Sequence, residues 1–203
     1  MIAIGSVMTF LMNKILITYH AAHETAATAF GAYFKLNSFI FMPVFGMNNG
    51  VVPIVAYNYG ARNRKRMVET IKRSTIYASC IMVLGVIIFW AIPGPLLKIF
   101  DATDTMLQVG VPALRIISLS FCMAGACIAL GSSFQALGKA VYSMTTSIIR
   151  QLVFLVPIAY VLARYGQSIG NDDLVWWSYP LAEIASLLVT LVFFRRLYRT
   201  LIA

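Results

Sequence analysis

The sequence predicts an all-α protein that crosses a membrane several times, and three observations support this fold class. The 203-residue chain is 60% hydrophobic and only 11% charged, with a mean hydropathy of +0.82. Soluble domains are about 45–50% apolar and about 25% charged, so one water-soluble core does not account for this composition. A membrane helix needs about 20 residues, and the chain is long enough for six with short connections. The composition therefore excludes a secreted globular domain, a disordered chain and a coiled coil.

Six apolar segments are predicted to be membrane helices. The stretches between them are short, and they include a small and polar loop at residues 21–29 and a basic loop at residues 62–65. The second helix is longer than a bilayer is thick and contains Pro43, Gly50 and Pro53, so we expect it to be kinked or partly unwound, with these residues acting as a hinge or as static kinks. Within a single domain of residues 1–203, the predicted helices cover residues 2–19, 30–59, 67–92, 105–134, 141–163 and 174–198.

The distribution of basic residues predicts the orientation of these helices. Ten Lys and Arg residues lie in or beside the connections on one side, whereas the connections on the other side carry two, together with five acidic residues. Because positive residues are retained on the cytoplasmic side, both termini are predicted to be cytoplasmic in a protein of the cell (inner) membrane. An even number of helices agrees with this orientation. The ten residues are Arg62, Arg64, Lys65, Arg66, Lys72, Arg73, Lys139, Arg195, Arg196 and Arg199.

No motif for catalysis, metal binding or nucleic-acid binding stands out in the sequence. The three cysteines all lie in apolar segments, which indicates packing thiols. His20, His23 and Glu24 lack an evident further ligand and are interpreted as a solvated loop. The net charge of +9 comes without a basic patch interleaved with aromatic residues, which argues against a nucleic-acid partner. We therefore predict a protein that is not an enzyme and has no catalytic residue and no metal site.

Four motifs follow one another along the chain. They are PVFGMNNGVVPIVAYNYGARN at residues 43–63, FQALGKA at residues 134–140, IRQLVFLVP at residues 149–157, and a Trp and Pro-Leu-Ala-Glu segment from Trp177 to Glu183. The first closely resembles the eighth-helix signature of the multidrug and toxic compound extrusion (MATE) transporters. The others resemble the end of the tenth helix, the eleventh helix and the twelfth helix of the same family. Since their order and spacing agree over essentially the whole chain, the sequence resembles the C-terminal half of a MATE protein, helices seven to twelve.

The resemblance implies a fold and an activity. The six helices would form one lobe of a MATE-type two-lobe transporter, in which a pair of six-helix lobes related by pseudo-two-fold symmetry encloses the transport cleft. The implied function is secondary transport that exports drugs or organic cations by H+ or Na+ antiport, with the coupling ion but no other cofactor. The implied partners are the lipid bilayer, a cationic and amphipathic small molecule, and an N-terminal six-helix lobe on the same or a separate chain.

Other interpretations stay open beside this one. The chain is alternatively a lipid-type flippase of the same superfamily, or an inactive or assembly-dependent fragment. A truncated gene, an internal start and one half of a split transporter all remain possible origins. Acidic coupling residues that some MATE members place on the seventh and tenth helices have no counterpart in the matching segments, so a coupling carboxylate is expected in the N-terminal lobe.

Ionisable and amide groups within the predicted helices are the candidates for a substrate or ion pathway, because such groups are costly in a bilayer. Glu183 is the only acidic residue within a predicted helix core, and Arg150 reaches a similar depth from the cytoplasmic side. We expect a buried Glu183–Arg150 pair that holds the last two helices together; the alternative is a carboxylate that couples cation binding to transport. Lys35 and Arg115 are assigned either to an outer vestibule or to packing. The candidates are Asn13, Lys35, Asn37, Arg115, Arg150, Gln151 and Glu183.

Overall fold

The computed structural model describes residues 2–199, with side chains from residue 4 onward, and these residues form helices and turns with no strand among them. A π-helical segment at Ile149–Leu155 joins α7 to α8, and a 3₁₀ helix at Asp172–Trp177 precedes α9. The α-helices are α1 (Ile2–Tyr19), α2 (His23–Gly60), α3 (Arg64–Ala91), α4 (Pro93–Lys98), α5 (Asp104–Ser118), α6 (Phe121–Ala136), α7 (Ala140–Ile148), α8 (Val156–Ile169) and α9 (Ser178–Leu197).

Four of the described helical stretches are long and apolar enough to cross a membrane. They are α2, α3, the continuous run from α7 to α8, and the run from the 3₁₀ helix to the end of α9. The bent pair of α5 and α6 makes a fifth span if the two helices are counted together, and α1 is a shorter apolar helix. The chain is therefore an all-α, multi-pass membrane protein, and the six predicted helices correspond to these five spans and α1.

The loop predicted at residues 21–29 is wrong, because α2 begins at His23. Ala26 and Ala29 are almost completely buried and belong to the hydrophobic core. Alanine is the best helix former, and the scattered polar residues of this stretch occupy the exposed face of the new helix. The basic loop is likewise shorter than predicted, since α3 begins at Arg64.

Helix α2 is continuous over 38 residues. It passes through Pro43, Gly50 and Pro53 without an interruption of its helical structure, so the partly unwound segment that we expected at these residues is absent. All three residues are exposed at the surface of the described chain. Their role as a hinge stays a prediction.

The helix predicted at residues 105–134 consists of two helices, α5 and α6, which are bent by 50° relative to each other. Serine hydroxyls lie on both sides of the break. Ser118 Oγ donates a hydrogen bond to the carbonyl of Arg115 at 2.9 Å, and Ser120 Oγ donates to the carbonyl of Ile117 at 2.7 Å. Side-chain bonds of this kind compete with the backbone bonds of the helix and bend it.

Helices α3 and α6 pack closely at the centre of the bundle. A Cβ atom placed on Gly125 would lie 2.8 Å from Cγ of Met82 and 3.1 Å from the carbonyl oxygen of Ala78. Next to this contact, the ring of Phe121 lies edge-on to the ring of Phe89, with 5.3 Å between the ring centroids. Small residues allow membrane helices to approach in this way, and the segment rich in them is central to the fold, as the sequence predicts.

The turn between α1 and α2 is bound to the 3₁₀ helix. His20 is buried, whereas the sequence predicts a solvated residue, and its Nδ1 accepts a hydrogen bond from the N–H of Ala22 at 3.1 Å. The His20 ring lies against Trp176, with 6.1 Å between the ring centroids. The N–H of Ala21 donates to Oδ2 of Asp172 at 3.0 Å. These contacts connect the start of the last span to the first turn of the chain.

Acidification is expected to loosen this turn. Burial lowers the pKa of His20 below the usual value of about 6.5; His23 acts in the same direction, and Asp172 and Asp173 oppose it. The unfolded chain therefore binds the proton more readily, so the stability contributed by neutral His20 is complete above about pH 6.5 and is lost as the pH falls below it. Hydrogen exchange of residues 17–25 should be faster at about pH 5.5 than at about pH 7.5 after correction for intrinsic rates.

The His20→Gln variant is the control for this measurement, because glutamine does not titrate. Its exchange should show little dependence on pH in the same segment. Equal corrected exchange of the unaltered chain at the two pH values would contradict the prediction.

Candidate functional site

Two cavities meet in the middle of the helix bundle. The inner cavity, of about 410 Å³, lies on the side of the basic connections and is bounded by α2, α6, α7, the π-helical segment and α9. Most of the residues that line it carry a hydroxyl or amide group, and Arg150 is the only charged one among the described residues of the wall. The polar lining residues are Asn48, Asn49, Ser132, Gln135, Ser143, Thr146, Ser147, Gln151, Ser186 and Thr190.

The outer cavity is smaller, about 100 Å³, and has a different lining. Aromatic rings form much of its wall, and the polar side chains include Asn37 and Glu183. Arg150 and Gln151 line both cavities, whereas Glu183 lines only the outer one. The aromatic lining residues are Tyr33, Phe34, Phe41, Phe121 and Tyr179.

An ion pair stands where the two cavities meet. Nη1 of Arg150 donates to Oε1 of Glu183 at 3.3 Å, and the exposed fractions of the two side chains are 23% and 12%. The pair joins the π-helical segment to α9, which is the arrangement expected from the similar depths of the two residues. It is the only ion pair between different helices among the described residues, because the other, Glu69 with Arg73, lies on the surface of α3.

The π-helical segment explains how Arg150 and Gln151 reach both cavities. A π-helix places more residues in each turn than an α-helix, so successive side chains are rotated by a smaller angle and the adjacent Arg150 and Gln151 share one face of the segment. Pro157 follows this segment by two residues. In a regular α-helix its ring would meet the carbonyl of Val153, and a widened turn is consistent with relief of that contact.

Several oxygen atoms around the outer cavity are buried and make no hydrogen bond to the described residues. They are Oε2 of Glu183, Oδ1 of Asn37, Oε1 of Gln151 and the hydroxyl of Tyr179. A buried polar atom without a partner costs about 1–3 kcal/mol, so these atoms are suited to a ligand that donates hydrogen bonds or carries positive charge. The guanidinium of Arg150 limits this preference, because it already neutralises part of the carboxylate charge.

The structure brings together four of the seven candidate residues: Asn37, Arg150, Gln151 and Glu183. The other three line neither of these cavities. Asn13 is partly buried on α1, with an Oδ1 that makes no hydrogen bond to the described residues. Lys35 and Arg115 are exposed, and Nζ of Lys35 lies 5.7 Å from the ring centroid of Phe100.

Sequence reasoning missed Asn48 and Asn49 as lining residues. Both residues line the inner cavity from an unbroken α2. The signal was present, since two adjacent amides within an apolar span require a polar environment. Tyr33 and Tyr179 were missed because a tyrosine in a membrane helix is more often a packing residue than a lining one.

The comparison with known proteins agrees with this architecture. The MatE family profile matches residues 1–161. The chain is 25% identical over 183 residues to the multidrug export protein MepA of Staphylococcus haemolyticus, a match that covers 90% of this chain and 38% of MepA. It is 23% identical over 133 residues to the probable multidrug resistance protein NorM of Thermotoga maritima, covering 66% of this chain and 29% of NorM. The chain thus spans less than two fifths of the length of these relatives.

Solved transporter structures share the fold. An outward-facing and an inward-facing conformation of a multidrug resistance MATE family transporter each give a TM-score of 0.87 at 19% identity; the matches cover 97% of this chain and 43% and 44% of those chains. A MOP superfamily transporter from Pyrococcus furiosus gives a TM-score of 0.87 at 20% identity, over 97% of this chain and 43% of that one. With the family profile matched over most of the chain, the protein belongs to the MatE family of multidrug and toxic compound extrusion (MATE) transporters.

Proposed function

We propose that residues 1–203 form the C-terminal six-helix lobe of a MATE-type secondary transporter that exports drugs or organic cations by H+ or Na+ antiport. The outer cavity carries this proposal, because a carboxylate with a free oxygen, Oε2 of Glu183, lies in its wall with the oxygens of Asn37 and Gln151. The multidrug export and resistance proteins to which the chain is similar support the activity.

Competition for Glu183 provides a mechanism for exchange. A proton or Na+ is small enough for a cavity of about 100 Å³, whereas drug-sized ligands occupy about 300–1,000 Å³. Only the cationic group of a drug therefore enters, beside rings such as Tyr33 and Phe34 that attract cations through their π faces. Since the ion and the cationic group of the drug cannot bind the Glu183 carboxylate at the same time, binding of one releases the other.

The remainder of the drug would lie in a cleft against an N-terminal lobe, on the same or a separate chain. Alternation then comes from rocking of one lobe against the other, with both termini of this chain in the cytoplasm and the protein in the cell membrane. The equal similarity to an outward-facing and an inward-facing conformation supports a lobe that moves largely as a rigid body. In this proposal Pro43, Gly50 and Pro53 absorb the limited bending of α2 that accompanies the rigid-body movement.

We expect Glu183→Gln to reduce ion-driven export by at least about tenfold, because glutamine cannot exchange a proton or balance a cation. The measurement is ethidium efflux from proteoliposomes that contain this chain with its N-terminal lobe, under an imposed H+ or Na+ gradient. Glu69→Gln is the matched control, since it removes a carboxylate that is exposed on α3. It should leave export unchanged.

Equal efflux by Glu183→Gln and the unaltered protein would contradict a role for this carboxylate in coupling. Translocation of a fluorescent phospholipid in the absence of any gradient, without ethidium efflux, would favour a lipid-type flippase instead. If no transport of either kind occurs with both lobes present, the chain is an inactive fragment.

A further inference from the structure

The inner cavity has a charge opposite to that expected for a site that receives cations. Among the described residues of its wall, Arg150 is the only charged one and no carboxylate is present. The carboxylate that balances Arg150 belongs to Glu183, which lines the outer cavity alone. The ion pair therefore presents its negative partner to the outer cavity and its positive partner to both.

Arg150 keeps hydrogen-bonding capacity on the inner side. A guanidinium carries five N–H donors, and the single hydrogen bond that Arg150 makes within the described chain joins Nη1 to Glu183. The other N–H groups have no acceptor among the described residues. Planar guanidinium groups match carboxylate, sulfonate and phosphate oxygens in geometry as well as in charge.

Asn48 adds a second free donor to the same wall. Its side chain is 4% exposed, and neither Nδ2 nor Oδ1 makes a hydrogen bond to the described residues. Leaving a buried amide without partners is costly, so its position in the cavity wall indicates a polar ligand.

Three hydroxyl groups of this wall do not compete with Arg150 and Asn48 as donors. Ser132 donates to the carbonyl of Ile128, and Thr146 and Ser147 both donate to the carbonyl of Ser143. Their protons are therefore committed to the helix backbone. Among the described residues of the wall, Arg150 is the one charged donor and Asn48 is a buried amide whose donor is unpaired, and both favour a ligand with hydrogen-bond acceptors.

We propose that the inner cavity binds the anionic group of an organic solute, a carboxylate, sulfonate or phosphate held by Arg150 and Asn48. The volume of about 410 Å³ falls within the range of pockets that enclose small organic molecules. An organic cation is disfavoured here, because it would face the guanidinium with no carboxylate on the same side. This site adjoins the outer cavity and shares Arg150 with it, but anion binding there does not depend on export of cations by the lobe.

A pair of probes with the same ring and opposite charge tests the proposal. Isothermal titration calorimetry of the full chain in phosphatidylcholine nanodiscs would compare p-toluenesulfonate with 4-methyl-N,N,N-trimethylanilinium. We expect saturable binding of the sulfonate and at least about tenfold weaker binding of the ammonium compound. Equal affinity for the two probes, or no binding of the sulfonate, would overturn the proposal.

Substitutions in the wall then test whether the sulfonate binds in the inner cavity. The double variant Arg150→Gln/Glu183→Gln removes the guanidinium without leaving a lone buried charge, and it should bind the sulfonate at least about tenfold more weakly. Asn48→Leu removes the free amide on a different helix and should weaken binding several-fold, about threefold to tenfold. Arg115→Gln is the control, because Arg115 is exposed and lines neither cavity.

Thermal melting by circular dichroism identifies any variant that fails to fold. If the double variant fails to fold, the affinity of Asn48→Leu for the sulfonate decides the result. Unchanged sulfonate affinity in a folded variant of either kind would overturn the proposal.

Repeating the titration in nanodiscs that also contain phosphatidylglycerol separates two sources of the anion: competition indicates a lipid headgroup, and its absence indicates a soluble anion. Sulfonate binding by the lobe alone is also independent of ethidium efflux, so this proposal and the proposed transport activity can fail separately.

Discussion

Replacing Arg150 with methionine is expected to lower the free energy of unfolding by about 3 kcal/mol. The substitution removes the only hydrogen bond that the described chain gives to Glu183, whose side chain is 12% exposed and whose Oε2 is already without a partner. A charge that is left buried and unpaired costs more than the pair contributed. Methionine is similar in length to the aliphatic part of arginine, so packing changes little.

The double variant Arg150→Met/Glu183→Met should regain most of this loss, because a buried ion pair replaced by apolar residues of similar volume is often neutral in stability. The measurement is an SDS titration of the purified chain in mixed micelles, followed by tryptophan fluorescence. Restoration in the double variant would show that the pair mainly serves function or specificity. A double variant as unstable as Arg150→Met would contradict this account of the pair.

The Gly125→Leu substitution should lower the free energy of unfolding by about 3 kcal/mol or prevent assembly of the bundle, since α3 and α6 are in contact at this residue. Even a Cβ atom would lie 3.1 Å from the carbonyl oxygen of Ala78, and backbone atoms cannot move aside as the end of a flexible side chain can. A leucine must therefore separate the two helices. The loss reflects packing rather than transfer from water, because lipid chains are as apolar as the side chains.

Gly46→Leu is the matched control for Gly125→Leu. It introduces the same side chain into another membrane helix, but a Cβ on Gly46 would meet no atom within 4 Å. In the same SDS titration, the free energy of unfolding of Gly46→Leu should be close to that of the unaltered chain. Equal destabilisation by the two substitutions would show that leucine, and not the contact of α3 with α6, is responsible.

Features that depend on composition and depth could be predicted from the sequence. The excess of apolar residues indicated a multi-pass helical protein, and the similar depths of Arg150 and Glu183 indicated an ion pair, which the structure contains. Both inferences need only the length of a helix and the cost of a charge in a bilayer. They do not require knowledge of how the helices are arranged around one another.

Features that depend on local competition between hydrogen bonds were missed. The break between α5 and α6 contains neither proline nor glycine. It lies between Ser118 and Ser120, whose hydroxyls bond to backbone carbonyls, and serine in a membrane segment usually causes no break. The π-helical segment has no signature of its own in the sequence, yet it places Arg150 and Gln151 at both cavities. The start of α2 was missed because polarity was taken as a sign of a loop when it marked one face of a helix.

The length of α2 makes the thickness of the bilayer a variable for this protein. Thirty-eight residues of helix extend about 57 Å, whereas the hydrocarbon core of a bilayer is about 30 Å thick and the whole membrane about 40–45 Å. The excess length is accommodated by tilt or by projection of the basic end, which continues into Arg62 and Arg64, beyond the headgroups. A thicker bilayer favours a more upright α2 and a thinner one a more inclined α2. Because Asn48 and Asn49 lie on this helix, its inclination also sets their position in the wall of the inner cavity.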